Sequence, residues 1–281
     1  MHLHDFLRDY ASRRVLSGSC HDNYRKHLHD LIAFHGRPLR TSELSARLVD
    51  EWLTAKIRSG LSPYYVHGMR SSILTIWRDA FVQGMAERPL ATRIRRPDLI
   101  IDVWTPEDVA ALVAAARDIR GIFERIGIPR APYLATAIAA TWHAGVRRND
   151  LHRIRYDMVS KDGVVVLAQH KTGRRHVARI PLEYVREMSA FSRAPGPIWP
   201  RPGVNEIIRQ AFRKLVDRVR ATRLDMKDGC WRDIRRSAEN SAEKRHPGQG
   251  HLLAGHERRT FERYYRRTEE SPPVAPDPLP K

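Results

Sequence analysis

The sequence predicts a mainly α-helical protein with one small antiparallel β-sheet, arranged as two domains. Three observations lead there. The 281 residues amount to nearly two domain-lengths at about 150 residues each. Apolar residues recur at helical spacing through the first third of the chain. The later part sets a few short alternating runs, bounded by turn residues, among further helical patterns.

Residues 1–87 read as four helices. Leu3, Phe6, Leu7 and Tyr10 form the first stripe, which Gly18 is expected to stop. Tyr24, Leu28, Leu31, Ile32 and Phe34 form the second, up to Gly36 and Pro38. Leu44, Leu48, Trp52, Leu53 and Ile57 form the third, ended by Gly60. Pro63 suits the first turn of a fourth helix running through Val66, Met69, Ile73, Ile76, Trp77 and Phe81. Residues 88–103 are broken by Pro89 and Pro97 and carry Arg88, Arg93, Arg95 and Arg96. That composition suits an extended linker able to follow a phosphate backbone, and equally a solvated connector.

The second domain is expected over residues 104–270. Thr105-Pro-Glu-Asp108 offers a helix start: a threonine cap, a first-turn proline and acids at the positive helix end. Residues 131–145 read as a buried helix. Residues 158–160, 164–168 and 177–181 read as short strands, with Asp162-Gly163 and Thr172-Gly173 as turns. Helical patterns return over 204–222, 234–244 and 260–267. Residues 271–281, with five prolines, are expected to be a flexible tail.

Composition narrows the function. A hydrophobic content of 42% supports real cores and excludes a wholly disordered chain. Fifty Lys+Arg against 32 Asp+Glu give a formal charge of +18, which points to a polyanionic partner, most directly nucleic acid. The longest apolar run, 131–146, is interrupted by Pro132 and His143 and falls short of the roughly 20 residues that span a bilayer. The N-terminus carries His2, His4 and Asp5 before Phe6 and shows no apolar signal core. Cys20 and Cys230 are too few for a disulfide framework or a metal set, so a reducing, cytoplasmic compartment is expected. His2 with His4, and His27 with His29, read as surface residues, and no glycine-rich phosphate loop is present.

Four segments could carry chemistry. In Ala144-Gly-Val-Arg147-Arg-Asn-Asp150-Leu, an arginine leaves an apolar approach, and Asp150 stands three residues on. A guanidinium there suits a phosphate, which its planar fork can hold by two oxygens; a plain surface Arg–Asp pair has the same spacing. In Gln169-His-Lys171-Thr-Gly-Arg174, the lysine stands at a hairpin turn, able to reach a site as a proton donor or to sit solvated. In Trp231-Arg232-Asp-Ile-Arg235-Arg236-Ser, Arg232 and Arg235 are one helical turn apart, so that both could face one anion. Leu253-Ala-Gly255-His256 is followed by Tyr264 and Tyr265. A histidine and a tyrosine at that spacing can serve phosphoryl transfer, while tyrosines are also common core or surface anchors.

The succession A-G-V-R-R-N-D-L, H-K-T-G-R, R-D-I-R-R-S, L-A-G-H and Y-Y-R-R, preceded by T-P-E-D-V-A-A-L, resembles the tyrosine recombinase (phage integrase) family over most of residues 101–267. The helical first domain is similar to that family's core-binding domain. The resemblance implies a site-specific DNA recombinase or integrase that cleaves and rejoins duplex DNA through a covalent 3′-phosphotyrosine, with no cofactor. Arg147 would match the first catalytic arginine, Asp150 the acid beside it, Lys171 the β-hairpin lysine, Arg235 the second arginine and His256 the His/Trp position. Arg93, Arg95, Arg96, Arg174 and Arg236 would contact DNA. The implied partners are double-stranded DNA, three further copies in a synaptic tetramer, and accessory DNA-bending proteins; the implied place is the cytoplasm, on the nucleoid.

Two positions depart from the family pattern. Arg232 stands where the family usually has histidine, and an arginine cannot act as a neutral base near pH 7. A catalytically weakened or inactive DNA-binding protein is therefore the alternative. The nucleophile falls on Tyr265 by the family's nine-residue spacing from His256, and on Tyr264 if the Thr260-Phe-Glu-Arg phrase sets the alignment.

Overall fold

The computed structural model describes residues 1–91, 94, 103–192 and 195–255, and the chain divides into two units, Met1–Asp98 and Leu99–Lys281. The first unit holds helices α1 (Leu3–Arg14), α2 (Gly18–His35), α3 (Ala46–Arg58) and α4 (Pro63–Val82). Each buries most of the stripe its spacing predicts: Phe6, Leu28, Leu31, Trp52, Ile73 and Trp77 are all within 2% of full burial, whereas the last predicted members of α2, α3 and α4, Phe34, Ile57 and Phe81, stand exposed. Local chemistry sets the starts of the last two, with Ser45 Oγ accepting from the Leu48 amide and Ser62 Oγ from the Tyr65 amide just ahead of Pro63. Gly18 does not stop the first helix. Val15 closes α1 at φ +47°, and Gly18 opens α2 after the extended Ser17.

The second unit is built around α6 (Arg130–Ala144), buried on every side. Its alanines at 135, 137, 139, 140 and 144 are fully covered, and small side chains let neighbours approach closely. Before it lie α5 (Pro106–Arg117) and a ribbon of β1 (Ile122–Phe123) and β2 (Ile128–Pro129), which the alternation did not reveal. After it come the short α7 (Arg148–Leu151), the hairpin β3 (Val164–Ala168) and β4 (Arg175–Arg179), and helices α8 (Leu182–Ser189), α9 (Asn205–Arg220), α10 (Trp231–Arg245) and α11 (Gly250–Leu253).

The α5 start is a reciprocal capping box: Thr105 Oγ1 accepts from the Asp108 amide at 3.2 Å, and Asp108 Oδ2 accepts from the Thr105 amide at 2.9 Å. Two strand expectations need correction. Residues 158–160 do not form a strand; Tyr156–Met158 is a 3₁₀ turn, after which only Val159 bridges to Val165. The partner of β3 lies two residues earlier than 177–181, because His176 and Ala178 supply its buried face and Val177 points outward at 52% exposure.

Among the described residues no helix is long and apolar enough to cross a membrane, and no group of three metal-ligating side chains occurs. Cys20 and Cys230 are both free thiols. Arg93, Arg95, Arg96, His256, Tyr264, Tyr265, the 260–267 helix and the proline-rich tail lie outside the described residues.

Candidate active site

The segment carrying Arg147 is fixed from behind. Gly145 ends α6 at φ +56°, where a Cβ would stand 2.5 Å from the Leu253 carbonyl oxygen. Only glycine admits both that backbone conformation and that approach. Val146 is then buried, and Arg147 turns into α7 with its side chain 25% exposed.

Arg147 donates from one terminal nitrogen to Gln169 Oε1 at 2.7 Å, and the same nitrogen lies 3.8 Å from Asp150 Oδ2. Asp150, 2% exposed, also accepts from the His170 amide at 2.7 Å. The carboxylate therefore braces the arginine and the hairpin together.

The hairpin turn runs from Gln169 to Arg174. The Gln169 amide donates to the Arg174 carbonyl, and Gly173, at φ +66°, donates back to the Gln169 carbonyl, each at 2.8 Å. Lys171 and Arg174 stand exposed on this turn, and Thr172 Oγ1 donates to Gln169 Oε1 at 3.0 Å. The Gln169 side chain is 98% buried, and its Nε2 donates to the Ala254 carbonyl at 2.8 Å. Chemistry alone fixes the orientation of this amide: a guanidinium can only donate, and a carbonyl can only accept.

Arg235 reaches the same place from α10. It is 3% exposed, donates from Nε to Glu239 Oε1 at 2.8 Å, and donates from a terminal nitrogen to the Ala254 carbonyl at 2.9 Å. Glu239 is wholly buried one helical turn along. A charge so deep needs a paired and hydrogen-bonded counter-charge, which the α10 spacing supplies. His176, on the inner face of β4, is 2% exposed and donates from Nε2 to the Ala144 carbonyl at 3.0 Å. Burial lowers the pKa of this imidazole, and the charges of Arg235 and Arg147 lower it further against the opposing Ala144 bond and Asp150. It is therefore a neutral imidazole near pH 7. Gly255, at φ +61°, fits beneath it: a Cβ there would lie 2.7 Å from His176 Nδ1 and 2.8 Å from Gln169 Nε2.

Thus the loop after α6, the hairpin, α10 and the end of α11 meet at one cluster, and Arg147, Asp150 and Arg235 belong to it. The sequence-predicted Arg232 is exposed on the first turn of α10, while Arg235 is covered. Arg236 is partly exposed and donates to Asp233 Oδ1 at 3.1 Å. Gln169, His176 and Glu239 also belong to this cluster, and the sequence reading does not single them out. For Glu239 a signal was available in its four-residue spacing from Arg235; for the other two it was not, since their partners are far away in sequence. Two guanidiniums held by fixed bonds to neutral and acidic groups can stabilise negative charge without reorganising as it develops.

No protein-family description matches the sequence, and neither does any curated protein. Solved structures do match over nearly the whole chain. A lambda integrase fragment, as a dimer bound to a COC′ core site, has 16% identity and a TM-score of 0.72, covering 98% of this chain and 99% of that one. A lambda integrase tetramer bound to a Holliday junction has 15% identity and a TM-score of 0.71, covering 96% and 80%. The Tn1549 transposon integrase in complex with circular intermediate DNA has 12% identity and a TM-score of 0.68, covering 95% and 96%. These identities speak for architecture, and on that ground the chain has the tyrosine recombinase fold.

Proposed function

We propose that the chain is a site-specific DNA recombinase or integrase that cleaves and rejoins duplex DNA through a covalent 3′-phosphotyrosine. The observation that carries this reading is the linkage of Arg147 to Arg235 through Gln169 and the Ala254 carbonyl. The integrase structures that share the fold are DNA complexes, and the +18 charge suits the same partner.

In this reading Arg147 and Arg235 hold the non-bridging oxygens of one phosphodiester, and Asp150 keeps Arg147 in place. A terminal phenol, Tyr265 with Tyr264 as the alternative, attacks phosphorus. The new bond joins the phenolic oxygen to the 3′-side phosphate, and the bond to the 5′-oxygen breaks. Lys171 gives that oxygen its proton, and the phenolic proton leaves to His256 or water. A second 5′-hydroxyl reverses the step and rejoins the strand. Residues 1–87 act as the core-binding domain, 88–103 as a basic linker and 104–270 as the catalytic domain. Arg93, Arg95, Arg96, Arg174 and Arg236 contact DNA, and Arg232 supplies a further phosphate contact. Four copies assemble at synapsis, with accessory DNA-bending proteins, on the nucleoid.

Arg232 favours a second reading, a DNA-binding protein of weakened or lost activity. A suicide duplex that traps the cleaved strand separates the two. The recombinase reading expects an adduct that Tyr265→Phe abolishes. An adduct lost in Tyr264→Phe instead moves the nucleophile by one residue, and sequence-selective binding without any adduct supports the second reading.

A further inference from the structure

Beside Arg147 the chain places a second guanidinium that the proposed chemistry does not use. Arg148, on α7, is half-buried, and among the described residues no carboxylate pairs with it. Burial lowers its pKa, and the positive charge of Arg201 lowers it further.

Arg201 is brought there by a built strap. Tyr133 donates from its hydroxyl to the Pro200 carbonyl at 2.9 Å. His152, 8% exposed, meets the Trp199 carbonyl through Nδ1 at 3.0 Å. These two bonds, from α6 and from the residue after α7, tie residues 199–200 down. Arg201 then reaches Asn149 Oδ1, next to Arg148, at 3.4 Å. Burial raises the pKa of Tyr133 and lowers that of His152, and in both cases the positive charges of Arg148 and Arg201 act in the lowering direction. The remaining nitrogen of His152, Nε2, is buried without a hydrogen-bond partner. Two like charges, Arg148 on α7 and Arg201 on the strap, face each other with no carboxylate among the described residues paired to Arg148, and so raise the local potential for an anion.

We propose that Arg148 and Arg201 form a second phosphate site that takes a backbone phosphodiester of duplex DNA neighbouring the one held at Arg147. The site stands on the geometry of the strap; the identity of its ligand rests on the recombinase reading. Because the contact is to backbone, it strengthens binding on every sequence alike.

The test is equilibrium binding of the full chain to a short cognate duplex and to an unrelated one, across about 50–200 mM salt. The variants are Arg201→Gln and Arg148→Gln, with the exposed Arg186→Gln as control. Each site variant is expected to weaken binding to both duplexes and to reduce the slope of log K against log salt by about 0.9, with the control unchanged. Arg201→Gln alters an exposed side chain, so it decides the matter if Arg148→Gln unfolds. A parent that binds duplex steeply, with both variants keeping its slope and affinity, overturns the site and leaves the recombinase reading standing. A parent that binds no duplex overturns both.

Discussion

Gln169 and Arg235 donate to one oxygen, the carbonyl of Ala254, at 2.8 and 2.9 Å. The shared acceptor joins the β3–β4 hairpin to α10, and the other end of the Gln169 amide carries the connection on to Arg147. A single uncharged side chain thereby sets the spacing between two guanidiniums drawn from distant parts of the sequence. Ala254 lies next to Gly255, so the same bonds also fix where the chain leaves α11.

The first prediction follows from that amide. Gln169→Leu keeps the bulk but strips one donor from the Ala254 carbonyl and the acceptor from Arg147. Loss of about 1–3 kcal/mol of stability is expected in urea unfolding. Single-turnover cleavage should fall by about 100-fold, the order expected for a displacement near 1 Å, while DNA affinity stays close to the parent's.

Gly145→Ala forces a left-handed backbone on alanine and drives its Cβ against the Leu253 carbonyl. The conformation alone costs about 1–2 kcal/mol, and the collision adds to it. A drop of at least about 2 kcal/mol in unfolding free energy is expected, with slower cleavage because Arg147 follows two residues later.

Glu239→Ala leaves the charge of Arg235, only 3% exposed, without its carboxylate. Destabilisation of about 3–5 kcal/mol is expected from chemical denaturation. Glu239→Gln, which keeps an oxygen for Nε, is expected to lose less.

Acid should weaken the fold through His152. Burial above all, and then Arg201 and Arg148, hold its pKa at about 4, against the raising effect of the Trp199 bond. The unfolded chain takes up this proton near pH 6.5 and the folded one only near 4, so the stabilisation is complete above about 6.5 and is lost as pH falls toward 4. Between pH 7 and pH 4 the parent is expected to lose about 3 kcal/mol more than His152→Gln, read from urea midpoints at each pH.

The sequence carried the helices well, because their causes are local: Pro63 in a first turn, the Thr105–Asp108 box and apolar stripes such as Phe6 with Tyr10. It carried the hairpin only within two residues, since the inner face of β4 uses a histidine where alternation looks for an apolar side chain. The β1–β2 ribbon, two residues on each side, is too short to show a period. Of the buried cluster, Arg147, Asp150 and Arg235 were legible through the order of the motifs. Gln169 was not, because its meaning comes from Ala254, 85 positions away. Nor was the separation of Arg232 from Arg235, which depends on what packs over α10 rather than on their spacing.

The most direct measurement is covalent trapping on a suicide duplex by the full chain, compared with Arg147→Ala and Arg235→Ala. A parent adduct through a terminal tyrosine, reduced about 1,000-fold by either variant, is the predicted result. An adduct formed at the parental rate without one of those guanidiniums, or no parent adduct on its own recombination site, contradicts the account.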